Sequence, residues 1–291
     1  MNLTELKQRN FLIRNFILLF IPWIILAVIF GLYDLQISNS IVNFDSWLGK
    51  FGADFGDALG YGLIGISIAI IFGSLFKDVR FQKLPALIII VISNGVMIYG
   101  LVISSNKTAI ISGVISLSLV LFVAIKFNSD WNYYKKYAWI VVLLAILNPL
   151  LFIQITKILC GRIRYRDLID LGFENYTPWY SPPGPSLQHS SFPSGHTAMG
   201  WMLLPLIVVI CKKELHVFIK VLLIIPIIFW GLFVSFSRVI IGAHFASDVL
   251  FSTGMAFFVL ILLYYFFYIR KEIVNEISQK NITNIENTEN S

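Results

Sequence analysis

Eight stretches of this chain, 15–33, 57–76, 84–104, 109–125, 138–157, 197–211, 217–236 and 246–269, are almost wholly apolar. Runs of around 18 or more such residues are long enough to cross a bilayer as helices. In lipid no water satisfies backbone N–H and C=O groups, so each run must satisfy its own by coiling. The fold class that follows is all-α: a polytopic membrane helix bundle of about eight transmembrane helices. Composition closes off the soluble alternative. Only 13% of the 291 residues are charged and the mean hydropathy is +0.80, whereas a soluble domain carries about a quarter charged residues. The first run follows Lys7, Arg9 and Arg14 like the front of a secretion signal. No small-residue cleavage site follows in Gly31-Leu32-Tyr33-Asp34, so the run is read as a retained span.

The net charge of +6 raises the question of a nucleic-acid partner, and the placement of the basic residues answers it. With the N-terminus cytoplasmic and the spans alternating, the cytoplasmic segments hold Lys7, Arg9 and Arg14; Lys77, Arg80 and Lys83; Lys126, Lys135 and Lys136; Lys212, Lys213 and Lys220; and Arg270, Lys271 and Lys280. That is 15 of the 22 basic residues. An excess of Lys and Arg in short loops sets orientation in a membrane. The basic balance is therefore a topology signal, and nucleic acid is not needed to explain it. The expected location is a cell (plasma or inner) membrane, multi-pass, with both termini cytoplasmic. The polar, turn-prone tail at 270–291 reads as a flexible cytoplasmic end. Cys160 and Cys211 lie near opposite ends of their spans and are not expected to pair.

The outer side keeps Lys50, Lys107, Lys157, Arg162, Arg164, Arg166 and Arg238, and most of these cluster with histidine and aspartate. The longest outer loop, 158–192, contains Arg162, Arg164, Arg166 and Asp167 and then the run Pro178-Trp179-Tyr180-Ser181-Pro182-Pro183-Gly184-Pro185. A loop of this length is usually functional or disordered, and its prolines and aromatics suggest a stiff, partly buried cover. Lys157 and Arg164 lie about two helical turns apart; alone they read equally as interfacial anchors. Pro193-Ser194-Gly195-His196 opens the sixth span in the manner of a capped helix start, and free N–H groups at such a start favour phosphate. Ser237-Arg238 is followed by His244 and Asp248. Four residues apart, these two can face each other, the carboxylate fixing the imidazole tautomer and leaving the other nitrogen free to attack. A structural His–Asp pair is the plainer alternative. A metal site of His189, His196, His244 and Asp248 would leave Lys157, Arg164 and Arg238 repelling the cation. Cations gathered with two histidines and a helix start describe an anion site, and phosphate fits best.

On these three segments the chain resembles the type 2 phosphatidic acid phosphatase (PAP2) family. That family's signature is a Lys, six residues and Arg-Pro; then Pro-Ser-Gly-His; then Ser-Arg, five residues, His, three residues and Asp. Here it reads Lys157 to Arg164, Pro193 to His196, and Ser237-Arg238 with His244 and Asp248, in the right order and on one side of the membrane. Tyr165 stands where the family has proline, and five spans precede Lys157 where the usual six-helix core has three. The resemblance implies His244 as nucleophile, forming a phosphohistidine, with Asp248 orienting it. His196 would protonate the leaving oxygen and then activate water. Lys157, Arg164, Arg238, Ser194 and the Gly195 backbone would hold the phosphoryl oxygens. It also implies a reaction without metal or other cofactor. Tyr165→Pro is expected to be tolerated.

The expected organisation is a single membrane domain over 1–291, with spans one to five at 15–156, the catalytic region at 157–269 and the tail beyond. An anion site at the outer interface suits a lipid phosphate drawn from the surrounding membrane lipids. Phosphatidic acid, phosphatidylglycerophosphate, a polyprenyl diphosphate and lipid A phosphates all fit that description. Arg162 and Arg166 are candidates for holding a second phosphate or headgroups. A membrane transporter would mark an ion path with intramembrane charges, whereas here the spans have few and the charged groups gather at one face. An inactive phosphate-lipid-binding protein is the other alternative. A vanadate-type haloperoxidase shares the same residues, though the spans argue against it. Oligomeric state has no signal in the sequence.

Overall fold

The apolar runs become helices, and their ends move wherever a polar residue finds a partner. The structure, a computed structural model, describes residues 3–270, and every regular element among them is helical. The tail from 271 onward, with Lys271 and Lys280, lies outside the described residues. Among the described residues, eight helices are long and apolar enough to cross a membrane. Their flanks are lined with side chains more than half exposed, such as Leu18, Val28, Val91, Leu117, Leu222 and Phe229. Such continuous apolar exposure has no place on a water-soluble surface.

Helix α1 (Leu3–Ile41) runs well past Tyr33, where the apolar stretch ends. Its polar extension is held by tertiary contacts, since Asp34 and Ser38 are both fully buried. The second span begins earlier than expected, at α2 (Trp47–Phe55), and continues after a break at Gly56-Asp57 as α3 (Ala58–Gly73). Helices α4 (Leu84–Val102) and α5 (Asn106–Lys126) form a hairpin that packs chiefly on itself and on α3. The fifth span is α6 (Lys135–Ala145), a π-helical stretch Ile146–Phe152 around Pro149, and α7 (Ile153–Cys160). Proline removes one backbone donor and crowds the preceding turn, and the wider π turn accommodates it.

The long outer loop is not without structure: it opens with the short helix α8 (Tyr165–Leu171). The sixth span is α9 (Gly195–Gly200), a 3-10 turn and α10 (Pro205–Lys212), followed by α11 (Val217–Ile240) and α12 (Ala246–Tyr264). Ile140, Val141 and Leu144 of α6 close the main core with Met199, Met202, Leu204 and Val208 of the sixth span and Ala256, Val259 and Leu263 of α12. A second cluster joins α3, α4, α5 and α6 through Ala69, Ile70, Ala86, Leu119 and Ala138. The third is small and lies at the end where the charged motifs gather. There Tyr165, Leu168 and Phe245 pack against Leu35 and Val42 of the α1 end.

Candidate active site

Three chain reversals bring the charged motifs to one end of the bundle. Helix α7 stops at Gly161, which adopts the left-handed conformation at φ 55°, where an L side chain is strained. The turn sends Arg162 inward. Arg162 Nε donates to the Thr177 carbonyl at 2.8 Å, Nη1 to Ser247 Oγ at 2.8 Å and Asp248 Oδ1 at 2.6 Å, and Nη2 to Asp34 Oδ2 at 3.0 Å. Its side chain is 1% exposed and both carboxylates are fully enclosed. Ser247 adds its backbone N–H (2.9 Å) and its hydroxyl to Asp34. All three guanidinium nitrogens are thus engaged within the protein, so Arg162 is not free to hold the second phosphate for which its sequence position made it a candidate. It is instead a clamp tying α1, the outer loop and α12 together.

The second reversal returns the loop beside the first, with Ser191 N–H donating to the Arg162 carbonyl at 2.9 Å. Ser194 then caps α9: its Oγ accepts from the Thr197 N–H at 3.4 Å and the Thr197 hydroxyl at 3.0 Å. The N–H groups of Gly195 and His196 follow at a helix start, where no preceding turn supplies acceptors. A Cβ placed on Gly195 would stand 3.7 Å from Lys157 Nζ, so the ammonium comes close to this helix start. The loop is anchored at Thr177, at Trp179 (whose Nε1 donates to the Ala27 carbonyl at 2.9 Å) and at Ser186, which donates from its N–H to the Ile158 carbonyl. Between these anchors Tyr180–Pro183 ride exposed.

The third reversal follows α11. The Arg238 carbonyl accepts the N–H groups of Ala243 and His244, and Gly242 turns the chain at φ 63°. Asp248 Oδ2 accepts the Phe245 N–H at 2.9 Å and so caps α12. The Ser194 N–H donates to the Asp248 carbonyl at 3.2 Å, joining the second and third motifs.

His244 is buried in this turn, with Nδ1 2.6 Å from the Ser191 carbonyl and 3.5 Å from Asp248 Oδ2. A carbonyl only accepts, so Nδ1 carries the proton and Nε2 keeps its lone pair. The close partner of the ring is therefore the loop carbonyl, with the carboxylate behind it; Asp248 Oδ2 takes the Ser191 hydroxyl at 2.5 Å instead. Burial brings the His244 imidazole down to about 4, with the charges of Arg238 and Lys157 acting in the same sense and Asp248 opposing them. The ring is therefore neutral at pH 7.

Two guanidinium donors at this end of the bundle have no partner. Arg164 places Nη2 on Ser190 Oγ at 3.0 Å, but its Nε is buried and unsatisfied, as is the Nε of Arg238. An unpaired donor on a buried cation is costly, and an anion would relieve both. The charges acting on Lys157 include those of Arg164, Asp248 and Arg238. Arg166 is exposed, 3.5 Å from Asp167, and its charge acts on Arg164 and Arg238. His189 is half-buried and its backbone N–H bonds Ser186 Oγ. Among the described residues no three His, Cys, Asp or Glu side chains converge as a metal-holding group. Cys160 and Cys211 are both free.

His196 turns to partners that its motif does not contain. Its Nε2 lies 3.2 Å from Lys107 Nζ and 3.7 Å from Asp57 Oδ2, and the latter two are 3.9 Å apart. The charges acting on His196 are those of Arg238, Lys107, His244 and Lys157. Asp34, Asp57, Lys107, Ser190 and Ser191 are the site residues that sequence reasoning missed. Asp34 and Asp57 did carry one signal, a carboxylate at the mouth of an apolar run. Residues 136–272 match the family model of the PAP2 superfamily. No curated protein and no solved structure matches the chain.

Proposed function

Since the chain is a multi-pass membrane protein carrying a PAP2 superfamily domain, a phosphatase type acting on phosphate esters, in its C-terminal half, we propose that it hydrolyses a lipid phosphate at the outer membrane face. The observation that carries the reading is the pairing of a neutral, buried His244 with two guanidinium groups, of Arg164 and Arg238, whose buried Nε donors lack partners. Phosphoryl transfer is mostly a matter of positioning and charge stabilisation. A dianionic phosphate held by Lys157, Arg164, Arg238, Ser194 and the Gly195 N–H would satisfy the orphaned donors.

In the first step His244 Nε2 attacks phosphorus, the P–N bond forming as the bond to the ester oxygen breaks. The leaving oxygen keeps the bonding electrons and takes a proton through His196. Positive charge develops on the His244 ring, whose Nδ1–H stays on the Ser191 carbonyl while Asp248, 3.5 Å away, stabilises it. In the second step water attacks phosphorus, passes a proton back to His196 and releases inorganic phosphate from Nε2. A lipid ester is supported by the site's position where apolar spans meet a charged loop, an arrangement in which the tail can remain in the bilayer. The outer orientation rests on the bias of basic residues toward the opposite loops.

The test is phosphate release in detergent, with a chelator present, from phosphatidic acid, phosphatidylglycerophosphate, a polyprenyl diphosphate and a lipid A phosphate. Release by the native protein and none by His244→Ala is the expected result. Equal release by both would remove His244 as nucleophile, and no release from any lipid would remove the lipid phosphatase reading.

A further inference from the structure

A proton delivered to the leaving oxygen has to come from somewhere, and the surroundings of His196 name the source. We propose that Lys107, at the start of α5 and outside the PAP2 match, supplies the proton that His196 hands to the leaving oxygen. The inference rests on the function proposed above.

Lys107 Nζ lies 3.2 Å from His196 Nε2. An ammonium group has three donors and no acceptor, so in this contact Nε2 accepts and the ring proton sits on Nδ1. A neutral imidazole in that state cannot give up its Nδ1 proton alone, because imidazolate would result. It can do so when Nε2 gains a proton as Nδ1 loses one. In the balanced step Lys107 Nζ–H passes to Nε2 while Nδ1–H passes to the ester oxygen, leaving Lys107 a neutral amine. When water attacks the phosphohistidine, its proton goes to Nδ1 and the Nε2 proton returns to Lys107. The relay is then reset.

Asp57 holds the donor and the ring together. Its carboxylate is 3.7 Å from Nε2 and 3.9 Å from Lys107 Nζ, its side chain is 7% exposed, and Oδ1 has no hydrogen-bond partner. The carboxylate thus lies beside both nitrogens between which the proton passes, and the Lys107 side chain, 46% exposed, is open to solvent. Lys107 acts through His196 and touches no substrate; it is a proton-supplying, positioning residue that the PAP2 signature does not include.

The experiment compares a long-chain alkyl phosphate, whose alkoxide needs a proton to leave, with p-nitrophenyl phosphate, whose phenolate does not. Lys107→Met and Lys107→Arg should each lower kcat on the alkyl ester by about a hundredfold, the scale of general acid catalysis, and leave the aryl ester little changed. Arginine keeps the charge and the donor but does not release a proton. A native alkyl rate in Lys107→Arg, or equal losses on both esters, would overturn the relay. Histidine ¹⁵N NMR gives a readout independent of turnover: His196 should be protonated on Nδ1 in the native protein and switch to Nε2 in Lys107→Met. An Nε2-protonated His196 in the native protein would also overturn it. The His244→Ala variant on the aryl ester separates the two claims, because retained cleavage there removes the phosphatase reading itself.

Discussion

Arg162 is where the fold is most exposed to a single change. Arg162→Met removes the cation from two carboxylates at once, Asp34 and Asp248, each fully enclosed, together with donors to Thr177 and Ser247. Breaking one buried ion pair by removing a partner costs about 3–5 kcal/mol. With two carboxylates left uncompensated, the upper end of that range, about 5 kcal/mol, is the expected loss. Adding Asp34→Asn removes one of the stranded charges, and residues sharing such a network couple by about 0.5–3 kcal/mol. The double variant should therefore be more stable than Arg162→Met alone, although it carries one more substitution. Thermal unfolding in detergent, followed by tryptophan fluorescence across the native, single and double variants, measures both quantities. An Arg162→Met protein that unfolds at the native midpoint, with only its KM raised, would refute the clamp and return Arg162 to phosphate binding.

Further outcomes follow from the same geometry. Because burial holds His244 down to about 4, the neutral nucleophile is present above that pH and is lost as pH falls through it. The acid limb of kcat/KM is expected near pH 4; a limb near 6.5, the ordinary histidine value, would mean the ring is solvated in the working enzyme. Tyr165→Pro is expected to fold poorly, a revision of the sequence expectation. The backbone suits proline, since Tyr165 opens α8 and Arg164 before it is extended. The side chain does not, being buried against Phe245 with its hydroxyl on Asn39 Oδ1 at 2.9 Å. The loss is set at about 3 kcal/mol from the cost of truncating buried aromatics, against about 1 kcal/mol for Tyr165→Phe, which gives up one hydrogen bond; equal unfolding midpoints for the two variants would contradict this. Gly242→Ala places a Cβ 3.0 Å from a Phe44 ring carbon at φ 63°. It should cost about 1–2 kcal/mol from the left-handed conformation alone, read as a lowered unfolding midpoint.

The spans and the three motifs were legible because each is local: an apolar run declares a helix, and motif spacing survives in a single line of sequence. What the sequence hid is pairing at a distance. Asp34 looked like the polar end of the first run, yet it meets Arg162 across 128 positions and keeps α1 helical to Ile41. Lys107 read as one more outer cation, yet it meets His196 across 89. Arg162 and Arg164 stand two residues apart, both basic in the same loop. Only the fold distinguishes the one with every nitrogen engaged from the one with a buried donor left over. The His244–Asp248 spacing suggested a direct bond, whereas the Ser191 carbonyl, from the long outer loop, lies closer to the ring.

The most direct test of the phosphatase account is to trap the covalent intermediate. Native protein mixed briefly with a ³²P-labelled lipid phosphate and quenched in alkali should carry label that is stable to base, lost in acid, and located on His244 by peptide mapping. Label absent from the native protein, or still present in His244→Ala, would contradict the account.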